Sequence, residues 1–262
     1  MLINLIMYIV QKYKRSPKIS GGKIAEVLRL KVYTQKIKPK KLESAINWGL
    51  SKIPWLSDNH KVYNHPDSIV KSSNKLTSFQ LFKENGVSIP LFFTRKDDAA
   101  SFLNGKNKVV CRTILTGSSG SGIVIASSKD ELVDCRLYVQ YLPKQFEYRY
   151  HVFNGSIIHR QQKKRLTTEQ LEERGIVERN KFIRNLANGY IFSSNFEVSD
   201  TINKKLEEQA LLACSSLGLD FGGVDLIANV RGDVYVLEVN SAPGLEGETL
   251  SKYIQAVKAL EE

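Results

Sequence analysis

Cysteine is scarce in this chain. Cys111, Cys135 and Cys214 are odd in number, widely spaced and without paired-ligand spacing, which argues against a disulfide framework and a zinc site and leaves reduced thiols. Long apolar runs are missing as well. The longest, residues 5–10, falls far short of the roughly 20 residues that span a bilayer, and no small-residue cleavage pattern follows it, so a cytoplasmic protein without a membrane partner is expected. His60, His65, His151 and His159 have no metal-ligand spacing and read as structural or substrate-edge residues. No helix-turn-helix, zinc-finger or RNA-binding aromatic signature is present, and no internal repeat.

What is abundant is positive charge. The 38 Lys and Arg against 27 Asp and Glu leave a net charge of +11, much of it at residues 12–15, 36–41 and 163–165. Such a field favours anionic partners: nucleotide, acidic peptide and nucleic acid alike. Nucleic acid is not favoured, because stacking aromatics are not interleaved with the basic residues. With 262 residues, 42% of them hydrophobic, the chain can bury a core in one large or two to three small domains.

Hydrophobic periodicity divides the chain. Residues 1–66 read as a small α/β unit, with Ser20-Gly21-Gly22 as the start signal before a helix at 23–30 and a short strand at Val32 and Tyr33. The stretch 66–86 reads as helical, with Leu76, Phe79 and Phe82 on one face and Gly86 as the stop; a strand at 91–94 and a short helix at 97–103 follow. Strands are expected at 109–110, 123–125, 137–141, 147–153 and 156–159, the last two joined by an Asn154-Gly155 turn. Residues 166–190 show no sustained pattern beyond a helical turn or two at 169–174, which in a compact domain marks a functional or mobile segment. Helices are expected at 202–217, ended by Gly218, and at 249–260.

Three oxygen-bearing residues carry the first chemical signal. Asp225, Glu238 and Asn240 fall on two strand-like runs, VDLIAN and VYVLEVN, joined by a turn at Arg231 and Gly232. A hairpin closing symmetrically on that turn sets Asp225 opposite Glu238, and the two-residue period adds Asn240 to the same face. Opposed carboxylates repel by up to roughly 1 kcal/mol and call for a compensating charge. An all-oxygen set suits Mg²⁺ better than Zn²⁺. The bland reading is the polar outer face of an ordinary hairpin. A second signal is the loop TGSSGSG, residues 116–122, whose glycines let the backbone approach phosphate oxygens. It lacks the Lys-[Ser/Thr] ending of a Walker loop and sits between strands, so read alone it is equally a Gly/Ser hairpin tip.

The order of parts resembles the ATP-grasp superfamily over about residues 46–262: Lys75 on an early helix, Arg112 before the glycine loop, Glu147 after a strand, and the oxygen triad near the end. The run LEVNSAPGLEG, residues 237–247, is similar to the terminal metal motif of the RimK-like alpha-L-glutamate ligase branch, and Asn64, Asn74, Lys75, Gly86 and Pro90 resemble that branch over 64–94. Short bacteriophage proteins of this superfamily look similar. The resemblance implies an α/β (α+β) ATP-grasp fold, two α/β lobes at 67–139 and 140–262 clasping ATP, behind a reduced N-terminal α/β domain at 1–66.

By the same resemblance, Lys75 and Arg112 hold the phosphates, with Arg112 in place of a more usual Lys. Gly117, Ser118, Ser119, Gly120 and Gly122 form the lid, and Gln140, Tyr141 and Leu142 line the adenine hinge, chiefly through backbone. Glu147 accepts from the ribose hydroxyls, unless it simply pairs with Arg149. Asp225, Glu238 and Asn240 bind one or two Mg²⁺, with Mn²⁺ as a substitute. Arg149, Lys163 and Arg165 are the candidates for stabilising the transferring phosphoryl group. One departure stands out: Gly223 occupies a place where related peptide ligases often have Arg, and Lys163 and Arg165 are expected to supply that charge. The implied activity is an ATP-dependent carboxylate–amine ligase working through an acyl phosphate, with a peptide or protein acceptor among the candidates and no Ser, Cys or His triad. The alternatives are a small-molecule kinase of the same fold and a basic nucleic-acid- or protein-binding module.

Overall fold

The computed structural model describes residues 7–14, 19–39, 44–57, 60–117, 121–143, 146–176 and 184–260. An N-terminal parallel sheet comes first. Strands β1 (Met7–Val10), β2 (Lys31–Tyr33), β3 (Ser44–Asn47) and β4 (Lys61–Tyr63) lie in the order β2-β1-β3-β4, and helix α1 (Ser20–Leu28) crosses from β1 to β2. Every residue of β1 and β3 is buried, as expected of parallel strands covered on both faces.

The helical stretch expected at 66–86 is two helices, α2 (Pro66–Ser73) and α3 (Lys75–Glu84). Asn74 breaks it: its backbone is extended, and its Oδ1 accepts from the N–H groups of Leu76 and Thr77 at 3.1 and 3.3 Å. That cap makes Lys75 the first residue of α3. Strands β5 (Phe92–Phe93), β6 (Val109–Arg112), β7 (Ile123–Ala126) and β8 (Tyr138–Gln140), with helix α4 (Lys96–Phe102), build a small antiparallel sheet ordered β5-β8-β6-β7.

A five-stranded antiparallel sheet completes the chain. It comprises β9 (Phe146–Phe153), β10 (Ser156–Arg165), β11 (Tyr190–Ser193), β12 (Phe221–Ala228) and β13 (Val234–Asn240), ordered β11-β10-β9-β12-β13, with helices α5 (Thr168–Glu173), α6 (Asp200–Leu217) and α7 (Gly247–Lys258). The α6 stripe Leu206, Ala210, Ala213, Cys214 and Leu217 packs against Tyr148, Tyr150, Val224, Leu226 and Val236. Because side chains alternate along a strand, Glu147, Arg149, His151 and Asp225 take the other face.

Two sequence expectations need correction here. The β12–β13 hairpin closes through Asn229–Asp233, pairing Ala228 with Val234, and not symmetrically on Arg231 and Gly232. A register shift beyond Leu226 then restores Asp225 opposite Glu238, with Leu237 as the extra residue of a bulge. Strand β10 runs on to Arg165 instead of ending at 159, so Lys163 and Arg165 lie on it and not after it. The N-terminal sheet packs against the rest of the chain: Ile9, Ile24 and Trp48 share a core with Phe221, Tyr253 and Val257. Asn64 ties the same junction, donating to the Phe221 carbonyl at 2.9 Å and accepting from the Asp220 N–H at 2.8 Å. All three cysteines are free thiols. Among the described residues no helix is long and apolar enough to cross a membrane.

Candidate functional site

The small sheet and the large sheet bring opposite charges together. From α3, the Lys75 ammonium donates to the Gly117 carbonyl at 2.7 Å and lies 3.8 Å from a Glu238 oxygen on β13. Burial lowers the Lys75 pKa; Glu238 opposes that shift, and the Arg112 charge adds to it. Arg112, at the end of β6, is likewise lowered by burial and supported by Glu238. Lys75, Arg112 and Glu238 are therefore one electrostatic group, assembled from three elements distant in sequence.

The ends of the glycine loop are held in place. The Lys75 N–H donates to the Leu115 carbonyl at 3.0 Å, and the Thr113 N–H donates to the Gly122 carbonyl at 2.9 Å. Gly122 has a φ of +70° and would place a Cβ 2.7 Å from the Ile114 backbone nitrogen, so only glycine fits there. Ser118, Ser119 and Gly120 lie outside the described residues. At the expected adenine hinge, the N–H of Gln140 donates to Leu91 at 2.7 Å and that of Tyr141 to Lys108 at 2.9 Å. Both N–H groups thus have backbone acceptors at the edge of the small sheet.

On the large sheet the acids and bases are paired. Arg149 on β9 donates from Nε and Nη2 to the two oxygens of Asp225, at 2.6 and 2.8 Å, a bidentate contact across neighbouring strands. Burial works against the Arg149 charge, but Asp225, Glu238 and Glu147 together outweigh it, and the pKa is raised. Lys163 on β10 forms an ion pair with Glu147, their side chains only 9% and 3% exposed. Glu147 thus pairs with Lys163 and not with Arg149, its strand neighbour at the two-residue spacing. Arg165, two residues beyond Lys163, is exposed. The space over Gly223 is filled by Arg149, whose Cδ would lie 3.3 Å from an added Cβ, and by Pro243 at 3.2 Å. The cation beside Gly223 is therefore Arg149, where the sequence pointed to Lys163 and Arg165.

Asn240 donates to Glu238 at 3.4 Å, which gathers two carboxylates and one amide on adjacent strands. Among the described residues no group of three or more His, Cys, Asp or Glu suits a metal ion. Two carboxylates and an amide oxygen still fit Mg²⁺, which takes one or two carboxylates and completes its shell with phosphate and water oxygens. His151, between Arg149 and the last helix, is fully buried; its ring contacts the Tyr253 hydroxyl and Gln161 Oε1, each at 3.2 Å. Burial, then Arg149, lowers its pKa to about 3, which keeps it neutral and structural.

Sequence reasoning missed Phe192. It lies on β11, inside the region next to the unpatterned segment, and its ring centroid is 4.2 Å from Arg149 Cζ and 4.9 Å from Lys163 Nζ. Each such contact contributes about 0.5–2 kcal/mol, more as water is excluded. The signal was the aromatic and β-branched run Tyr190-Ile-Phe after Asn188-Gly189.

Known proteins share this arrangement. The RimK-like ATP-grasp domain family matches residues 175–261. A probable alpha-L-glutamate ligase of Aliivibrio salmonicida is 30% identical over 200 residues, covering 70% of this chain and 60% of its own. One from Alkalilimnicola ehrlichii is 30% identical over 205 residues with the same coverage. The chain thus spans about 60% of the length of these curated relatives. Among solved structures, the ATP-grasp ligase PsnB complexed with minimal precursor, Mg and ADP superposes with a TM-score of 0.69 at 14% identity, covering 98% of each chain. The D-alanine–D-alanine ligase of Bacillus anthracis gives 0.65 at 15% identity, covering 97% of this chain and 92% of its own. The arrangement of sheets and helices is the ATP-grasp fold of these solved structures, and residues 175–261 match the RimK-like ATP-grasp domain family.

Proposed function

We propose that this chain is a cytoplasmic, ATP- and Mg²⁺-dependent ligase that joins a carboxylate to an amine. The first candidate amine is glutamate, and the first candidate acceptor is a peptide or protein carboxylate. The observation that carries the reading is the meeting of Lys75 of α3 and Arg112 of β6 with Glu238 of β13, which stands beside Asp225 and Asn240 on the large sheet. One wall supplies cations suited to phosphate and the other hard oxygens suited to a metal.

A carboxylate does not condense with an amine in water because it is a poor electrophile. Transfer of the γ-phosphoryl group to a carboxylate oxygen, with ADP leaving, makes an acyl phosphate; the amine then attacks the carbonyl carbon and inorganic phosphate leaves. Held by Asp225, Glu238 and Asn240, one or two Mg²⁺ ions, with Mn²⁺ as a substitute, would neutralise phosphate charge. Lys75 and Arg112 bind the phosphates, the 116–122 loop with Gly117, Ser118, Ser119, Gly120 and Gly122 covers them, and Gln140, Tyr141 and Leu142 take the base. Glu147 accepts from the ribose. Arg149 and Lys163 then face the transferring group, while exposed Arg165 meets the acidic substrate. No covalent nucleophile is required; positioning and electrostatics carry the rate.

The test is trapping. With ATP, Mg²⁺, hydroxylamine and a panel of amino acids and peptides, the expected products are ADP, inorganic phosphate and a hydroxamate read by mass spectrometry. ADP with a stable phosphorylated product would mean a kinase instead. Neither nucleotide consumption nor a nucleotide-induced rise in Tm would leave a binding module.

A further inference from the structure

We propose that Phe192 is a positioning residue that holds Arg149 and Lys163 in place when their carboxylate partners turn to other ligands. The inference rests on the ligase reading for its consequence in turnover, and on geometry for the rest. In this structure each cation is ion-paired with a carboxylate of the large sheet, Arg149 with Asp225 and Lys163 with Glu147. In the reaction those carboxylates are wanted elsewhere, by the metal and by the ribose. A guanidinium and an ammonium released from their anions, in a site this dry, would repel each other and swing toward water.

The Phe192 ring prevents that. It belongs to β11, where it pairs with Lys163 of β10, so both side chains stand on the same face of the sheet. Its centroid lies 4.2 Å from the Arg149 Cζ and 4.9 Å from the Lys163 Nζ. One ring therefore serves two cations whose side chains are 17% and 9% exposed. The attraction comes from the ring quadrupole, which takes no N–H donor from either group. A carboxylate or carbonyl in the same place would fix the cations too, but would occupy the donors that the transferring phosphoryl group needs. Asp225 engages Nε and Nη2 of Arg149, and the ring lies 4.2 Å from the Cζ of the same guanidinium.

Two measurements decide this. The exchange rate of the Arg149 Nε–H, followed by ¹⁵N NMR in the nucleotide-free protein and after adding ADP with Mg²⁺, should stay slow in the wild type and in Phe192→Tyr. In Phe192→Leu, which keeps an apolar side chain but no π face, it should stay slow without nucleotide and rise by roughly tenfold or more with ADP and Mg²⁺, the size of one cation–π contact in a desolvated site. In turnover, Phe192→Leu should lose about tenfold in kcat with KM for ATP changed less than about threefold, and Phe192→Tyr should restore most of kcat. Exchange in Phe192→Leu equal to wild type overturns the proposal, as does equal impairment of the Leu and Tyr variants, which would mean a packing role. Loss of all nucleotide response in the wild type sinks the ligase reading alone, because the same exchange comparison in an Asp225→Asn background, where the carboxylate partner is lost without nucleotide, still decides the role of Phe192.

Discussion

The two walls of the cleft are built on different terms. On the large sheet, side chains do the work in matched pairs, Arg149 with Asp225 and Lys163 with Glu147, and all four are largely buried. On the facing wall, Lys75 of α3 and Arg112 of β6 have, among the described residues, the carboxylate of Glu238 from across the cleft as their charge partner. One wall is electrostatically satisfied before any ligand arrives, and the other waits for anions. A magnesium nucleotide addresses both differences, since its phosphates suit the cationic wall and its metal suits the carboxylates of the other.

The sharpest way to break this contrast is to remove one acid from each kind of setting. Asp225→Asn leaves Arg149 buried without its bidentate partner, and breaking a buried pair on one side costs roughly 3–5 kcal/mol. Glu238→Gln touches a pair at 3.8 Å with a 37% exposed carboxylate, and should cost under about 1 kcal/mol. Both should abolish turnover. Urea denaturation of the two variants checks the difference, and equal stability losses would mean that the walls are not distinct.

How much of this was legible in the sequence follows the same division. The face shared by Asp225, Glu238 and Asn240 follows from a period of two, which survived even though the hairpin turn was placed wrongly, because the bulge at Leu237 compensates. Lys163 and Glu147, on neighbouring strands, could not be matched from sequence while β10 was cut short at 159. The backbone partners at 140 and 141 were not legible, because the N–H groups of Gln140 and Tyr141 donate to Leu91 and Lys108, far away in the chain. Phe192 was hidden because its strand is four residues long and follows an irregular segment.

Next in size is the response to ligand. A ligand that binds only the folded state stabilises it by about 2.7 kcal/mol at a hundred times its Kd. ATP with Mg²⁺ should give this gain in a thermal melt. ATP without Mg²⁺ should bind at least about tenfold more weakly, about 1.4 kcal/mol, because Arg149 and Lys163 stay clamped to their carboxylates. Lys75→Ala should remove most of the response to either. Equal shifts with and without metal would show that the paired wall takes no part in binding.

A smaller effect comes from acid. His151 is held neutral, with a folded pKa near 3 against an ordinary 6.5, by burial and by Arg149; Gln161 and Asp225 favour its charge and His159 opposes it. A depressed pKa means stability that is complete above about pH 6.5 and is lost as pH falls toward the folded value, by up to about 1.4 kcal/mol per pH unit. Between pH 6.5 and pH 5 the wild type should lose roughly 2 kcal/mol more than His151→Gln does. Parallel stability curves for the two proteins would contradict this assignment.

The smallest predicted change in stability tests the tightest contact on the paired wall. At Gly223 a Cβ would meet Pro243 Cβ at 3.2 Å and Arg149 Cδ at 3.3 Å, distances that require each neighbour to give by a few tenths of an ångström. Proline on its loop is the stiffer of the two, so Arg149 yields. Gly223→Ala should therefore cost only about 1 kcal/mol of folding stability, the low end for overpacking. Its effect on chemistry should be larger, because the guanidinium that moves is the one aligned with Asp225, and a displacement near 1 Å can cost about a hundredfold in rate. A kcat that falls much more than stability, with KM for ATP nearly unchanged, is the expected pattern. If Gly223→Ala turns over at the wild-type rate, Arg149 has room to spare, and the close fit around Gly223 serves packing alone.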